Sequence, residues 1–304
     1  MLSQDLDRYI VLQRACGLKF TTQPSLLRSF VACAEATGDT YVRADRVLDW
    51  AARTTSAAQA RNRLAIVRRF AMALAIEDPG HEVPSSDAFG RWRFERRMPH
   101  IYTAEEIAAL MAAARRLGRP GSIRPETMVT LIGLLAATGL RVSEALKLDV
   151  GDITADGLVI RETKFRKSRL VPLHSSARAA LDRYLRRRRK VPGKGTSFFV
   201  GDSGRRPAYV TLYALFLRLG RETGLRGLPG EKGPRLHDLR HTFAVRSLES
   251  CDGDRRAISR HMLALATYMG HSDPSHTWWY IQATPTLMHH IAEAGEALLA
   301  GGSE

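Results

Sequence analysis

The sequence predicts a mainly α-helical fold with a small antiparallel β-sheet, divided into two domains. Three observations carry that expectation. Apolar residues recur at three- and four-residue spacing along eleven segments, the period of a helix with one buried face. Two short runs, Leu158–Thr163 and Ser168–Leu173, have strand character, and the basic turn Lys164-Phe165-Arg166-Lys167 joins them into a hairpin. The 304 residues amount to about two domains of ordinary size, and a stretch rich in Pro and Gly divides them.

The elements follow in order. Leu6, Tyr9 and Ile10 define a first helix that Ser3 can cap and that closes with Gln13 and Arg14. Pro24 and Ser25 open a second, which stops at Thr37-Gly38. A short third carries Val47, Leu48, Trp50 and Ala51. The fourth runs from about Ser56 to Leu74, with Leu64, Val67, Phe70 and Leu74 on one face and Arg61, Arg63, Arg68 and Arg69 on the others. Residues 1–80 thus read as a helical domain and 81–102 as a linker, with turn signals at Val83-Pro84 and Met98-Pro99 and a basic-aromatic stretch between them. Thr103-Ala-Glu-Glu caps a new helix. Residues 103–285 form the second domain, with helices at 103–117, 126–138, 141–148, 175–190, 209–223, 237–250 and 255–269. Residues 286–304 are a tail, with Met288, Ile291, Ala292, Leu298 and Leu299 on one helix face but too few residues for a core of its own.

Composition narrows the function. A hydrophobic share of 44% excludes disorder as the main state. The longest nearly uncharged apolar stretch, Met128–Leu140, is about 13 residues, too short to span a bilayer, and the first residues lack a signal-peptide pattern. Cys16, Cys33 and Cys251 are odd in number and widely spaced, which suits reduced thiols in the cytoplasm. The net charge is +15, with +4 in residues 1–100 and +11 in 101–304. Of 46 basic residues 39 are Arg, whose planar fork grips phosphate in two places; a GC-rich genome also favours Arg. The balance points to nucleic acid rather than membrane. The run Arg186–Lys190 ends a helix, where cations suit the dipole; it is a solvated helix end or a DNA-backbone contact.

One group of polar residues is hard to explain as surface. Thr138-Gly139-Leu140-Arg141-Val142-Ser143-Glu144 places Arg141 and Glu144 three apart in an apolar helix start, where an Arg is costly to bury unless an anion meets it. His237, Arg240 and His241 lie at i, i+3 and i+4, on one helix face. Gly270-His271-Ser272-Asp273-Pro274 is followed by Tyr280, nine residues after the His.

The strings TGLRVSEAL, TKFRKSRLVPL, HDLRHTFA and MGHSDPSHTWWYI, in that order and at compatible separations, resemble the tyrosine recombinase (phage integrase) family, in its simple two-domain, Xer-like form. The resemblance is strong over 103–285 and holds only in kind over 1–100, as the family's helical core-binding domain. It implies a recombinase catalytic domain and a site-specific recombinase that cuts and rejoins DNA through a 3′-phosphotyrosine and a Holliday junction, with no cofactor. By resemblance Arg141 and Arg240 clamp the phosphate, Tyr280 is the nucleophile, Lys164 is the general acid, His237 and His271 assist at the phosphate, and Glu144 orients Arg141. The chemistry fits independently: a phenol can hold a covalent phosphotyrosine that conserves the bond energy, and Arg forks suit the charge of the transition state. The implied partners are duplex DNA with inverted half-sites, further copies forming a tetramer on DNA, and sibling recombinases. The expected DNA contacts are Arg61, Arg63, Arg68, Arg69, Arg91, Arg166, Lys167 and Arg169, in a clamp of two domains closing around the duplex.

Rival readings stand beside these. Lys167 could replace Lys164 as acid. Tyr268 is a second hydroxyl, read as core; Trp278 and Trp279 are read as packing, His241 as supporting, and His289-His290 as exposed. Residues 247–262 are longer than the connection expected of simple members and suggest a loop toward a neighbouring subunit; the length leads us to expect a simple two-domain member without an arm-binding module. A metal hydrolase would use His237 and His241, but the Glu of HExxH is replaced by Asp238, so no metal site is expected. Gly193-Lys194-Gly195-Thr196 lacks the upstream Gly of a phosphate-binding loop. A type IB topoisomerase and a DNA-binding protein with an inactive site complete the alternatives.

Overall fold

The chain has two compact units, Met1–Arg96 and Arg97–Glu304, each with its own core. The structure, a computed structural model, describes residues 1–90, 97–161, 168–193, 195–251 and 255–270. It is mostly helical with one small antiparallel sheet.

The first unit contains α1 (Leu2–Ala15), α2 (Gln23–Glu35), α3 (Ala44–Ala52) and α4 (Ala57–Glu77). Their apolar faces meet in a core of Leu6, Ile10, Leu27, Phe30, Trp50, Leu64, Val67 and Phe70. Phe30 and Trp50 pack edge to face at 5.6 Å, and Tyr9 tilts against Phe70 at 5.2 Å, geometries the ring quadrupoles favour. The Ser56 hydroxyl accepts from Gln59 N and caps α4. Ser3 does not cap α1, which already begins at Leu2; its backbone N–H instead donates to Glu35 Oε1 at 2.8 Å and ties α1 to α2.

The expected linker 81–102 is shorter at both ends than its Pro and Gly suggest. His81 Nδ1 accepts from Val42 N at 3.1 Å. Glu82 accepts from Ala44 N at 2.8 Å and Arg43 Nη1 at 3.0 Å, so a carboxylate sits at the positive end of α3. Phe89 packs against the first core. On the far side, Tyr102 is buried in the second unit. Its N–H donates to Thr242 Oγ1 at 2.9 Å, its hydroxyl to Arg235 O at 3.1 Å, and its carbonyl accepts from Arg246 Nη2 at 2.7 Å.

The second unit contains α5 (Ala104–Ala114), α6 (Arg124–Thr138), α7 (Val142–Lys147), strands β1 (Ile153–Thr154), β2 (Gly157–Ile160) and β3 (Arg169–Val171), then α8 (Ser175–Arg188), α9 (Tyr209–Glu222), α10 (Asp238–Glu249) and α11 (Arg255–Met269). Thr103 and Glu106 form the capping box of α5. α6 is the central helix: Met128, Leu131, Ile132, Leu134 and Leu135 are all buried, and α5, α8 and α10 pack around it. The sheet is a meander in the order β1-β2-β3, one strand more than expected, because β1 is two residues long and too short to show a period. In β2 and β3, Leu158 faces Val171, Val159 faces Leu170 and Ile160 faces Arg169.

α10 and α11 join through Ala244, Val245, Leu248, Met262, Leu265 and Met269. The expected loop over 247–262 is therefore mostly helix. α10 runs to Glu249 and α11 starts at Arg255, and Ser247 Oγ and His261 Nε2 meet at 3.0 Å across the pair. The basic run at the end of α8 is also partly structural. Arg187 donates to Gly121 O at 2.6 Å, and Arg188 donates to Ser197 O and Gly195 O at 3.2 and 2.5 Å.

α6 ends at Gly139, in the left-handed region at φ +59°. A Cβ there would lie 2.4 Å from Phe243 Cδ1. Glycine thus allows both the turn and the close passage of α10. Gly139→Ala should lower stability by roughly 1–3 kcal/mol in urea unfolding, and an unchanged midpoint would refute this account.

Candidate active site

The site forms where the start of α7, strand β3, the start of α10 and the end of α11 meet. Arg141 lies just before α7 with extended backbone. Its N–H donates to Glu144 Oε2 at 3.0 Å and its Nη1 to Glu144 Oε1 at 2.8 Å. The pair read from the sequence is present, but it is not isolated. Arg169 donates Nη1 and Nη2 to the same carboxylate at 3.2 and 2.8 Å. Glu144 is 9% exposed. Burial alone would raise its pKa; the hydrogen bonds and charge of Arg169, with those of Arg141, outweigh burial and hold it below the ordinary range.

Arg240 is 3% exposed on α10. Its Nη1 donates to Gly139 O at 2.6 Å and its Nη2 to Met269 O at 2.8 Å. Arg141 Nη2 donates to Gly270 O at 3.2 Å, and Arg169 Nε to Tyr268 O at 2.9 Å. Three consecutive carbonyls at the end of α11 thus accept from three arginines. A helix end leaves these oxygens without partners inside the helix and with partial negative charge, so guanidinium groups match them in both respects. Gly270 turns the chain at φ +66°, and a Cβ there would lie 2.9 Å from Arg169 Nη1.

His237 immediately precedes α10, where Asp238 accepts from Arg235 N at 2.8 Å and Arg235 Nη2 at 2.7 Å. The His237 and His241 rings meet edge to face at 5.0 Å, and among the described residues no group of three His, Cys, Asp or Glu could hold a metal ion. The His237 ring reaches solvent, yet the protein around it, and then the Arg240 charge, lower its pKa. His241 is half-buried, and burial followed by the His237 charge brings its pKa down to about 4. Tyr268 stacks on Phe243 at 5.5 Å, and burial pushes its phenol up to about 12, in keeping with a packing side chain.

The structure thus brings Arg141, Glu144, His237 and Arg240 into one region. Lys164, Arg166, Lys167, His271, Tyr280 and Arg91 lie outside the described residues. On α4, Arg63 donates to Arg53 O at 2.7 Å with its guanidinium 5.2 Å from the Trp50 ring centroid, and Arg68 donates to Pro84 O at 3.1 Å. Arg61 is half-buried, and Arg69 is exposed. Arg169, expected among the DNA contacts, turns inward, with 14% of its side chain exposed. The strand period held the clue. Arg169 shares the face of buried Val171, while Leu170 faces out. The carbonyl acceptors of Tyr268, Met269 and Gly270 left no sequence signal.

Residues 101–286 match the model of the phage integrase family. The chain is 36% identical over 295 residues to "Putative integrase/recombinase y4rB" of Sinorhizobium fredii, covering 94% of each protein. It shares its fold with the XerH site-specific recombinase bound to palindromic difH substrate (TM-score 0.64, 18% identity, 90% of this chain and 79% of that one). It also shares it with a lambda integrase tetramer bound to a Holliday junction (TM-score 0.62, 18% identity, 92% and 76%). The chain belongs to the phage integrase family of tyrosine recombinases, whose members are site-specific DNA recombinases.

Neutral imidazoles carry a pH consequence. A histidine whose folded pKa lies below its unfolded value leaves stability intact at high pH and withdraws it as pH falls below about 6.5. For His241 the loss continues to about pH 4. The Glu144 contribution, of the opposite charge type, is lost only below the ordinary carboxylate range. His241→Gln should therefore retain about 1–2 kcal/mol of stability that the parent loses between pH 7 and pH 5. Parallel stability–pH curves for the two proteins would contradict it.

Proposed function

We propose that this chain cuts and rejoins duplex DNA with Tyr280 as nucleophile, through a covalent 3′-phosphotyrosine. The observation that carries the reading is the convergence of Arg141 and Arg240 on the end of α11, immediately before the sequence that carries His271 and Tyr280. Arginines from two distant segments, both next to an exposed histidine, are suited to a phosphate with negative charge on two non-bridging oxygens.

In the proposed step the Tyr280 phenol gives its proton to a neutral histidine, His237 or His271, its oxygen attacks phosphorus, and the bond to the 5′ oxygen breaks. The electron pair leaves on that oxygen, and Lys164 supplies its proton. The bond energy stays in the phosphotyrosine, so a free 5′ hydroxyl can reverse the step without ATP. Arg141 and Arg240 neutralise the extra charge, each such donor contributing on the order of 3 kcal/mol in a dry site. His237 and His271 hydrogen-bond the phosphate or pass protons. Neutral His237 can accept or donate there, and a bound phosphate would favour its charged form.

The finer parts of the reading are a tetramer on inverted half-sites, two exchanges through a Holliday junction, and work beside sibling recombinases for integration, excision, transposition or multimer resolution. The shared fold with the DNA-bound proteins above supports the DNA partner and the assembly. Among the described residues no helix is long and apolar enough to cross a membrane. Arg61, Arg63, Arg68, Arg69, Arg91, Arg166 and Lys167 are proposed to grip the backbone, so affinity should fall steeply with salt.

A duplex nicked near the scissile phosphate should trap a covalent protein–DNA adduct, and Tyr280→Phe should abolish it while duplex binding persists. Binding without adduct by the parent chain would favour an inactive DNA-binding protein. Removal of residues 286–304, proposed to dock on a neighbouring subunit, should weaken cooperative assembly more than single half-site binding in gel-shift titrations. Equal effects on both would reject that docking.

A further inference from the structure

Arg169 satisfies two groups at once. Glu144 Oε1 accepts from Arg141 Nη1 at 2.8 Å and Arg169 Nη1 at 3.2 Å, while Oε2 accepts from Arg141 N at 3.0 Å and Arg169 Nη2 at 2.8 Å. Each oxygen therefore carries two donors, one from each arginine, and the acceptor capacity of the carboxylate is filled. The third guanidinium nitrogen, Nε, donates to Tyr268 O at 2.9 Å, one residue before the Met269 carbonyl that binds Arg240. Arg169 is anchored by β-pairing opposite Ile160, so its position is set by the sheet rather than by the helices it joins. Its guanidinium also lies against Gly270, where even a Cβ would approach to 2.9 Å.

We propose that Arg169 is a positioning residue for strand transfer, which holds Glu144 and, through it, the aim of Arg141 at the scissile phosphate, and that it is not a DNA contact. The proposal rests on the reading of Arg141 as part of the phosphate clamp. The geometry states the division of labour. Arg141 has part of its fork on Glu144 and keeps 31% of its side chain exposed, whereas Arg169 has 14% exposed with all three of its nitrogens engaged. Without Arg169 the carboxylate would keep a single guanidinium partner in a buried place. Burial would then favour its protonated form, which accepts fewer hydrogen bonds and holds Arg141 less firmly. Lysine could not substitute fully, because one ammonium cannot span both carboxylate oxygens and the Tyr268 carbonyl in the planar pattern of a guanidinium.

The test uses the full chain and a nicked duplex carrying the sequence that the parent selects from a randomised pool. Half-site affinity, its salt dependence and the single-turnover rate of adduct formation at saturating protein are measured for Arg169→Gln and Arg169→Lys. The expected result is affinity and salt slope within about twofold of the parent, with the adduct rate reduced about 10–100-fold for Gln and less for Lys. The adduct rate of Arg169→Gln should also fall with decreasing pH over a range where the parent is flat, as Glu144 takes up a proton. The rate losses of Glu144→Gln and Arg169→Gln should not add in the double variant. If Arg169→Gln unfolds, the Lys variant and its pH profile carry the test. An unchanged rate at saturation, with weaker binding and a salt slope reduced by about one, would overturn the proposal and return Arg169 to the DNA interface; additive losses in the double variant would overturn it equally. A parent chain that forms no adduct defeats the strand-transfer reading itself, which separates that failure from this one.

Discussion

The end of α11 is the point on which the catalytic unit depends. A helix terminus buried among other elements leaves carbonyl oxygens that must find donors. Here Tyr268, Met269 and Gly270 find them in Arg169, Arg240 and Arg141, which come from a strand, from the first turn of α10 and from the start of α7. Backbone carbonyls thereby fix the direction of the side chains proposed to meet phosphate. The arrangement also explains the need for arginine. A guanidinium can hold a carbonyl with one nitrogen and still present others, whereas an ammonium presents a single centre.

Around this point the charges are balanced unequally. One buried carboxylate, Glu144, serves two arginines, and Arg240 is buried on carbonyl dipoles. Placing three cations around one buried anion is unfavourable unless hydrogen bonds compensate for the lost hydration, and the carbonyls of Gly139, Tyr268, Met269 and Gly270 supply them. The surplus of positive charge suits the phosphate proposed to bind there. Burial, and after it neighbouring positive charge that includes Arg240, keeps His237 and His241 toward their neutral forms.

The fold was largely legible in the sequence because its helices are amphipathic and well punctuated. Within the described residues every helix expected from periodicity is present, and the capping box at Thr103 and the stop at Gly139 lie where their residues imply. What was not legible depends on tertiary neighbours. The two-residue β1 has no period of its own. The stretch 81–90 reads as linker by composition but is held by His81 and Glu82 against α3. In the site, the residue types of Arg141, Glu144, His237 and Arg240 were readable, since charge in an apolar helix context demands a reason. The inward turn of Arg169 is masked in the sequence by its basic neighbours, although alternation places it on the strand face of buried Val171. The carbonyl acceptors are backbone groups, and no side-chain pattern announces them.

The carbonyl cluster also bears on when the site can exist. Its three hydrogen bonds close loops of 129, 99 and 29 residues along the chain. Contacts of such long range form late, because their loop entropy must be met before they stabilise anything. A nascent or partly opened chain would already carry the positive charge that attracts DNA, yet Arg141, Arg169 and Arg240 would point in unrelated directions. The capacity to break a strand is therefore coupled to completion of the whole second unit, and a chain caught midway in folding has no assembled site with which to cut DNA.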